Sequence, residues 1–278
     1  MEQIKLNNGV MMPGVGYGTW KAPTSEITIA AVRDAIESGY RLIDCAAVYG
    51  NEKEVGQGIQ AAGAVREELF IVGKLWNDAR GYDETMEAFA QTCADLQVDY
   101  LDMYMLHWPR PHKYHDNYIE MNAASWKAME DLFKAGKVRS LAVSNFKVHH
   151  LEELMERAEI MPVVNQVEFH PSCLQTEIRT FCAQYDIAVQ GYSTLANGKV
   201  FQCPEIEQIS RELGVSVAQL CTRYAMQHGV TPLVKSVNAE RIRDNLKLDF
   251  TLDAQMMQRI DAITTCGGSY KDSDEITF

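Results

Sequence analysis

The sequence lacks the features that mark several classes of protein. No run of about 18 consecutive apolar residues occurs, which argues against a membrane-spanning helix. Residues 1–8 have neither the basic nor the apolar region of a signal peptide, so we expect a cytoplasmic protein. No block of five Lys or Arg residues occurs and the net charge is −12. We therefore expect no nucleic-acid partner, because binding to phosphate backbones needs clustered positive charge.

Closely spaced cysteine pairs are also absent. The seven cysteines are scattered, odd in number and contain no CxxC pair. This spacing argues against a zinc ribbon or a dithiol redox motif. We expect reduced cysteines that pack in the core.

The sequence does have the composition and the pattern of a globular α/β protein. Its hydrophobic fraction of 46% and charged fraction of 23% are average for globular chains. Eight apolar runs are short enough for strands and do not alternate strictly, which is typical of strands buried on both faces. They are Gly14–Trp20, Arg41–Ala46, Leu69–Leu75, Leu101–His107, Ser140–Phe146, Val163–Phe169, Ile187–Ser193 and Gly229–Ser236.

Amphipathic helical patterns separate the runs, and two more, Ala239–Leu248 and Asp253–Ile263, follow the last one. Eight such units predict a (β/α)8 TIM barrel that forms a single domain over residues 1–278. A doubly wound open sheet is the alternative. Residues 4–12 predict a β-hairpin that closes the barrel floor. Gly14–Gly18 resembles a dinucleotide-binding loop, but it lacks the final spacing and forms part of a strand.

Four titratable residues fall at the ends of successive strands. Asp44, Lys74 and His107 each end or nearly end an apolar run, and Tyr49 follows Asp44 by five residues. Active sites of barrels lie at the carboxyl ends of the strands, so we expect the four side chains to converge. Asp44 and Lys74 tolerate burial as an ion pair, which is also the purely structural interpretation of these two residues.

The same four residues suggest acid–base chemistry. A Lys74 ammonium beside a phenol favours the phenolate, so we expect the pKa of Tyr49 to fall from its usual value of about 10. Tyr49 then becomes a general acid near neutral pH. His107 can donate a hydrogen bond to an oxygen between itself and Tyr49, which polarises a carbonyl group.

At these positions the sequence resembles the aldo-keto reductase superfamily. Residues 42–52, followed by Val55-Gly56, are similar to the first signature of that family, with its Asp and Tyr. Residues 73–76 and 103–109 are similar to the segments that supply its Lys and His. The match continues in order through residues 143–146, 165–171, 191–193, 235–237, 241–242 and 245.

The resemblance implies an NADPH-dependent enzyme on a TIM barrel that reduces small aldehydes, α-dicarbonyls or keto sugars, with Tyr49 as proton donor. It implies that Ser144, Asn145 and Gln166 hydrogen-bond the nicotinamide carboxamide and that Tyr192 stacks on the ring. The other implied cofactor contacts are Thr19, Asp44, Ser193, Leu195, Lys235, Ser236, Val237, Asn238, Arg241, Asp244 and Asn245.

Two of these assignments have structural alternatives. Lys235 and Arg241 supply cations at the end of the eighth strand, where barrels often bind phosphate, and the family holds the 2′-phosphate there. The alternative is that both are solvated surface residues. Ser144 and Asn145 alternatively cap a helix that begins near His149.

Three of the four tryptophans lie near the predicted site. Trp20, Trp76 and Trp108 follow strand ends, and we expect them to form an apolar substrate wall beside Tyr49 and His107. Trp126 lies in a helical pattern and is expected in the core. Only residues 264–278 follow the last helix, whereas vertebrate members of the family have a longer C-terminal loop. The resemblance therefore implies an open, permissive site.

Other functions are less consistent with the sequence. The histidines at 112, 115, 149 and 150 fall on polar segments without a fixed carboxylate, so we expect no metal. A metal-assisted barrel hydrolase would need more ligands at the strand ends. An NADPH-binding regulatory protein with weak turnover is the main alternative, although the four titratable residues argue for activity. The family default is a monomer, and a carbonyl compound is the expected partner.

Overall fold

The apolar runs of the sequence form the strands of a closed parallel barrel. The computed structural model describes residues 2–268 and 270–278. Each run contains one barrel strand, and the strands follow chain order around the barrel, with the last pairing with the first. The predicted (β/α)8 barrel is confirmed and the open-sheet alternative is wrong. Ahead of it lie β1 (Gln3–Lys5) and β2 (Met11–Pro13); the barrel strands are β3 (Gly16–Gly18), β4 (Leu42–Asp44), β5 (Phe70–Leu75), β6 (Met103–Leu106), β7 (Leu141–Ser144), β8 (Val164–Glu168), β9 (Ala188–Tyr192) and β10 (Val230–Val234).

The predicted hairpin packs against the amino ends of the barrel strands. Strands β1 and β2 pair antiparallel, with Ile4 opposite Met12. Leu6 and Met12 are buried in the cluster that contains Leu42 and Phe70, the first residues of β4 and β5. The hairpin therefore closes the barrel floor, as the sequence predicts.

The glycine-rich segment near the N-terminus is a barrel strand. A Cβ atom on Gly16 would lie 2.5 Å from side-chain atoms of both Leu42 and Leu233. Only glycine fits this position, because those two leucines fill the barrel interior beside it. This confirms that the segment is not a dinucleotide-binding loop.

Helices connect the strands on the outside of the barrel. They are α1 (Glu26–Glu37), α2 (Glu52–Ala62), α3 (Tyr82–Leu96), α4 (Tyr118–Lys134), α5 (Val148–Met155), α6 (Thr176–Gln184), α7 (Pro204–Leu213), α8 (Val217–Gln227), α9 (Ala239–Asp244) and α10 (Ala254–Asp261). Ser25 caps α1 by accepting a hydrogen bond from the Ile27 amide at 3.4 Å. The two C-terminal helices are shorter than their sequence patterns. Across the described part of the chain, no helix combines the length and apolarity that crossing a membrane requires.

Two apolar layers hold the barrel together. Successive strand residues point to opposite faces, so Leu42 fills the barrel interior while Ile43 packs toward the helices. Trp126 lies in the outer layer with 1% of its surface exposed, as predicted. The seven cysteines are all free, and four of them are buried, in line with the expectation of reduced core residues.

Candidate active site

The alternation of strand residues brings the predicted titratable groups to one end of the barrel. Leu42 and Val72 line the barrel interior, so Asp44 and Lys74, each two residues further along its strand, face the same way. Met105 lines the interior in the same manner, and His107 follows it just beyond the end of β6. The carboxyl ends of three neighbouring strands thus contribute a carboxylate, an ammonium group and an imidazole.

Asp44 and Lys74 form a buried ion pair. The Nζ atom of Lys74 lies 2.7 Å from each carboxylate oxygen of Asp44 and donates to the Cys45 carbonyl at 3.1 Å. Gln166 Nε2 donates to Asp44 Oδ1 at 2.8 Å. Burial alone would lower the pKa of the Lys74 ammonium, but the charge of Asp44 and its hydrogen bond outweigh that effect and hold the pKa above its usual value. Lys74 is therefore a permanent cation.

Tyr49 lies beside this cation. It ends the short 3₁₀ helix Ala47–Tyr49 after β4, and its hydroxyl lies 3.4 Å from Lys74 Nζ. Burial raises the pKa of the phenol to about 12, which outweighs the lowering by Lys74. The expected fall of this pKa toward neutrality is wrong, because the sequence did not reveal how strongly the site desolvates the phenol. The phenol keeps its proton at neutral pH.

His107 completes the group of four. Its ring centroid lies 5.8 Å from that of Tyr49, at an interplanar angle of 77°. Burial, together with the charge of Lys74, lowers the pKa of His107 well below its usual value. The imidazole is therefore neutral and carries one N–H. Its Nδ1 atom makes no hydrogen bond within the described residues.

Hydroxyl and amide side chains surround the same end of the barrel. Ser144 Oγ donates to the Gln166 carbonyl at 2.8 Å, and Asn145 Nδ2 donates to the His107 carbonyl at 2.9 Å. The Tyr192 hydroxyl donates to Asn145 Oδ1 at 2.7 Å. Helix α5 is capped at Lys147, so the alternative in which Ser144 and Asn145 cap it is wrong. These buried polar groups fit a neutral carboxamide.

Cations without acidic partners lie beyond β10. Lys235 Nζ donates to the Lys21 carbonyl at 3.1 Å, and burial and the charge of Lys21 lower its pKa. Among residues 2–268 and 270–278, neither Lys235 nor Arg241 pairs with a carboxylate. Both side chains are exposed, as in the alternative of solvated surface residues. An anionic group such as a phosphate would relieve the repulsion between Lys21 and Lys235.

The other predicted cofactor residues have varied surroundings. Thr19 Oγ1 donates to the Asp44 carbonyl at 2.9 Å and is buried. Asn238 caps α9 by accepting from the Arg241 amide at 3.0 Å. Asp244 instead directs its carboxylate to Lys247 at 2.7 Å. The remaining positions lie in the segments that follow β9 and β10 or directly after α9, and they are Ser193, Leu195, Ser236, Val237 and Asn245.

Two of the three predicted wall tryptophans come together. The ring centroid of Trp76 lies 5.2 Å from that of His107. Trp108, which follows His107 in the chain, is 8% exposed. Trp20 lies apart from these contacts: its ring is 43% exposed and lies 4.2 Å from the ammonium of Lys21.

Phe278 lies beside the predicted site, although no sequence pattern places it there. Its ring lies parallel to that of Trp76, with centroids 5.7 Å apart, and meets Trp108 edge-on at 5.4 Å. Its carbonyl accepts from Asn77 Nδ2 at 3.2 Å and from the His112 amide at 3.3 Å. The segment 270–278, here called the tail, therefore reaches the tryptophans of the substrate wall despite its short length, and the open site stays a prediction.

The tail is fixed by a charged cluster at the start of α5. Lys147 pairs with Asp272 and, at 2.7 Å, with Asp274. The Nε2 atoms of His149 and His150 lie 3.1 Å and 2.9 Å from Asp274 Oδ1. The expectation that these two histidines face no fixed carboxylate is wrong, because Asp274 comes from a distant part of the chain.

The cluster combines hydrogen bonds with ion-pair contacts. His150 Nδ1 accepts from the Lys147 amide at 3.2 Å, and Nε2, which carries the proton of the neutral ring, lies 2.9 Å from Asp274 Oδ1 without the geometry of a hydrogen bond. A metal at this position would have to displace that proton and compete with Lys147 for the carboxylate of Asp274. That the protein needs no metal stays a prediction.

Comparison with known proteins agrees with this arrangement. The model of the Aldo/keto reductase family matches residues 5–265. The glyoxal reductase of Bacillus subtilis is 43% identical over 278 residues, which cover 100% of this chain and 98% of that protein. The methylglyoxal reductase DkgA of Salmonella typhimurium is 40% identical over 260 residues, covering 92% and 91%.

Solved structures of reductases are similar as well. The aldo-keto reductase MGS-M4 from a deep-sea metagenome library has a TM-score of 0.93 at 34% identity, covering 99% of this chain and 100% of that one. A Bombyx mori aldo-keto reductase in complex with NADP has a TM-score of 0.85 at 34% identity, covering 94% and 92%. By sequence and by structure, this chain belongs to the aldo/keto reductase family of oxidoreductases.

Proposed function

We propose that this protein reduces small aldehydes and α-dicarbonyl compounds to alcohols, with NADPH as the hydride source and Tyr49 as the proton donor. The observation that carries the proposal is the contact between the Tyr49 hydroxyl and the Lys74–Asp44 ion pair, with the neutral ring of His107 nearby. A phenol, a fixed cation and an imidazole N–H at one site are suited to protonating a carbonyl oxygen.

The proposed cofactor site consists of donors for an amide and cations for phosphate. NADPH, when bound, supplies the hydride. Ser144, Asn145 and Gln166 would hold the carboxamide through their hydroxyl and amide groups, and the ring of Tyr192 would support the nicotinamide. Lys235 and Arg241, which lack carboxylate partners among the described residues, support a 2′-phosphate and so NADPH over NADH. The solved relative with bound NADP supports the same choice.

The proton transfer follows from the charges around Tyr49. The substrate oxygen would lie between the Tyr49 hydroxyl and the N–H of His107. The Tyr49 hydroxyl would donate its proton to that oxygen as negative charge develops there during reduction. Lys74 stabilises the phenolate as it forms, because the attraction between the two grows with that charge. Asp44 keeps Lys74 protonated and fixed at this position.

Small substrates are favoured by the position of Phe278. Its ring contacts Trp76 and Trp108, and Trp76 contacts His107, so a substrate beside His107 would share the predicted wall with Phe278. Two relatives of this chain are a glyoxal reductase and a methylglyoxal reductase. Both points favour an α-dicarbonyl substrate over a bulky keto sugar.

The test is oxidation of NADPH with methylglyoxal by the wild type and by Tyr49→Phe. We expect the substitution to lower kcat at least about 100-fold, the usual contribution of a general acid, while NADPH still binds. Tyr104→Phe is the matched control, because it removes a tyrosine hydroxyl from the buried outer layer and not from the predicted site. Full activity in Tyr49→Phe would contradict the mechanism.

The same experiment addresses the alternative functions. NADPH binding by the wild type without turnover of any carbonyl compound would support the regulatory alternative and contradict the proposed function. The predictions of a cytoplasmic monomer and of no nucleic-acid partner await direct measurement. Size-exclusion chromatography with light scattering tests the monomer.

A further inference from the structure

The tail makes a direct contact with a residue of the proposed cofactor site. Ser273 Oγ donates to the backbone carbonyl of Asn145 at 2.6 Å, and Ser273 is only 4% exposed. The side chain of Asn145 donates to the His107 carbonyl and accepts from the Tyr192 hydroxyl. One residue therefore connects the tail to the predicted imidazole donor and to the predicted nicotinamide platform.

Asn145 has a backbone conformation that needs support. Its φ of 64° lies in the left-handed region, which costs non-glycine residues energy even though asparagine tolerates it better than most. Such a conformation persists where its surroundings fix it. The Asn145 amide donates to the Gln166 carbonyl at 2.9 Å, and its carbonyl accepts from Ser273. The tail thus supplies one of the two backbone hydrogen bonds that hold this turn.

The charged cluster holds Ser273 in place. Asp272 and Asp274, the two neighbours of Ser273, both pair with Lys147, which lies two residues after Asn145. His149 and His150 add contacts to Asp274 from the same helix start. The tail therefore holds this short loop at two points, the carbonyl of Asn145 and the side chain of Lys147.

We propose that Ser273 is a positioning residue for carbonyl reduction, and that the Lys147–Asp274 pair docks the tail so that Ser273 fixes Asn145. The inference rests on the proposed function, since the alignment it controls is that of His107 and the nicotinamide. It predicts that undocking the tail weakens turnover without removing any group that touches the reacting atoms.

The first experiment compares Ser273→Ala with Ser273→Thr. We expect Ser273→Ala to lower kcat with methylglyoxal about 5- to 10-fold, the size expected for one buried hydrogen bond. Ser273→Thr keeps the hydroxyl and should retain most of the wild-type kcat. If the serine only stabilised the fold, both variants would keep kcat and differ from the wild type in thermal midpoint alone, and this result would overturn the proposal.

The second experiment weakens the docking pair. Asp274→Asn removes the charge that Lys147 binds, so Phe278 should leave Trp76 and Trp108 and the intrinsic tryptophan fluorescence should change. High salt should move the wild type toward the Asp274→Asn spectrum, because salt screens partly exposed pairs. It should change the variant less, because only the Lys147–Asp272 pair remains there for salt to screen. Asp131→Asn is the matched control, since it breaks a surface pair with Lys127 far from the tail.

The outcomes separate the two proposals. Wild-type kcat and fluorescence in both Ser273→Ala and Asp274→Asn would overturn the role of the tail while leaving the proposed reductase function intact. A wild type that turns over no carbonyl compound would overturn the proposed function. In that case NADPH affinity, measured by titration, still tests the tail: a several-fold weaker affinity in Ser273→Ala supports the contact with Asn145, and an unchanged affinity overturns it.

Discussion

The ammonium of Lys74 lies 2.7 Å from both carboxylate oxygens of Asp44, and the two side chains are buried together. Taking both charges out of water costs about as much as their attraction returns, so such a pair adds little to stability. Its consequence is positional: a cation is fixed 3.4 Å from the hydroxyl of Tyr49. Removing one partner leaves the other charge buried and unpaired.

Lys74→Met should therefore damage both activity and stability. We expect kcat with methylglyoxal to fall at least about 100-fold, because no cation stabilises the forming phenolate. Removing one partner of a buried pair should lower the free energy of unfolding by about 3–5 kcal/mol, which urea denaturation measures.

A double variant separates the two effects of Lys74. Adding Asp44→Asn to Lys74→Met removes the stranded charge, so stability should recover in part while activity stays low. Lys127→Met breaks an exposed pair and should cost about 0.5 kcal/mol or less. A Lys74→Met protein with wild-type kcat would rule out a role for this cation in catalysis.

Glu52 predicts how stability depends on pH. It begins α2, is 5% exposed, and burial raises the pKa of its carboxyl to about 7. The unfolded chain has an ordinary glutamate pKa near 4.3, so between about pH 4.3 and 7 the folded state binds the extra proton. Glu52 therefore favours folding at the acidic end of this window, and its contribution is lost as pH rises through 7.

Glu52→Gln should remove this pH dependence. The free energy of unfolding of the variant minus that of the wild type should rise by about 2–3 kcal/mol from about pH 4.5 to about pH 8.5. Urea denaturation of both proteins at the two pH values measures the difference. If the difference between the proteins is the same at both pH values, Glu52 is not protonated in the folded protein near neutrality.

The positions of the barrel residues follow from local sequence. A strand alternates its side chains, so the apolar residues Leu42 and Val72 fix the direction of Asp44 and Lys74. The order of the strands around a barrel then brings neighbouring ends together. The alternation of strand residues, the spacing of the apolar runs and the location of barrel sites at the strand ends were enough to predict the Asp44–Lys74 pair. They also predicted that His107 lies near that pair.

The contacts of the tail do not follow from any local pattern. Lys147 and Asp274 are 127 residues apart, and Asn77 and Phe278 are 201 apart. A polar segment with a final aromatic residue carries no periodicity that says where it packs. The pKa of Tyr49 was mispredicted for a related reason: it depends on desolvation by the whole site, whereas the sequence showed only the neighbouring charge.

Phe278→Ala should widen the substrate entrance. The ring contacts both Trp76 and Trp108, so its removal should raise kcat/KM for bulky aromatic aldehydes such as nitrobenzaldehyde. Methylglyoxal should lose up to about 10-fold in kcat/KM, because it loses apolar contact worth about 1 kcal/mol. The measurement is the ratio of kcat/KM for the two substrates. Phe278→Leu should give a ratio between those of Phe278→Ala and the wild type. An unchanged ratio would place Phe278 outside the substrate path.

The cations beyond β10 predict which cofactor is preferred. If Lys235 and Arg241 hold a 2′-phosphate, Lys235→Met and Arg241→Met should each weaken NADPH binding about 10-fold or more, the size of one charge-assisted hydrogen bond. NADH lacks that phosphate, so its dissociation constant should change less than about 3-fold, mainly through weaker long-range attraction. Lys53→Met is the matched control, because Lys53 already has an acidic partner in Asp95 and is highly exposed. Fluorescence titration of the four proteins with both cofactors measures these dissociation constants.

Equal losses of NADH and NADPH affinity in the Lys235 and Arg241 variants would contradict the assignment to the 2′-phosphate. Such losses would show that the two cations bind the shared pyrophosphate or act only through general attraction.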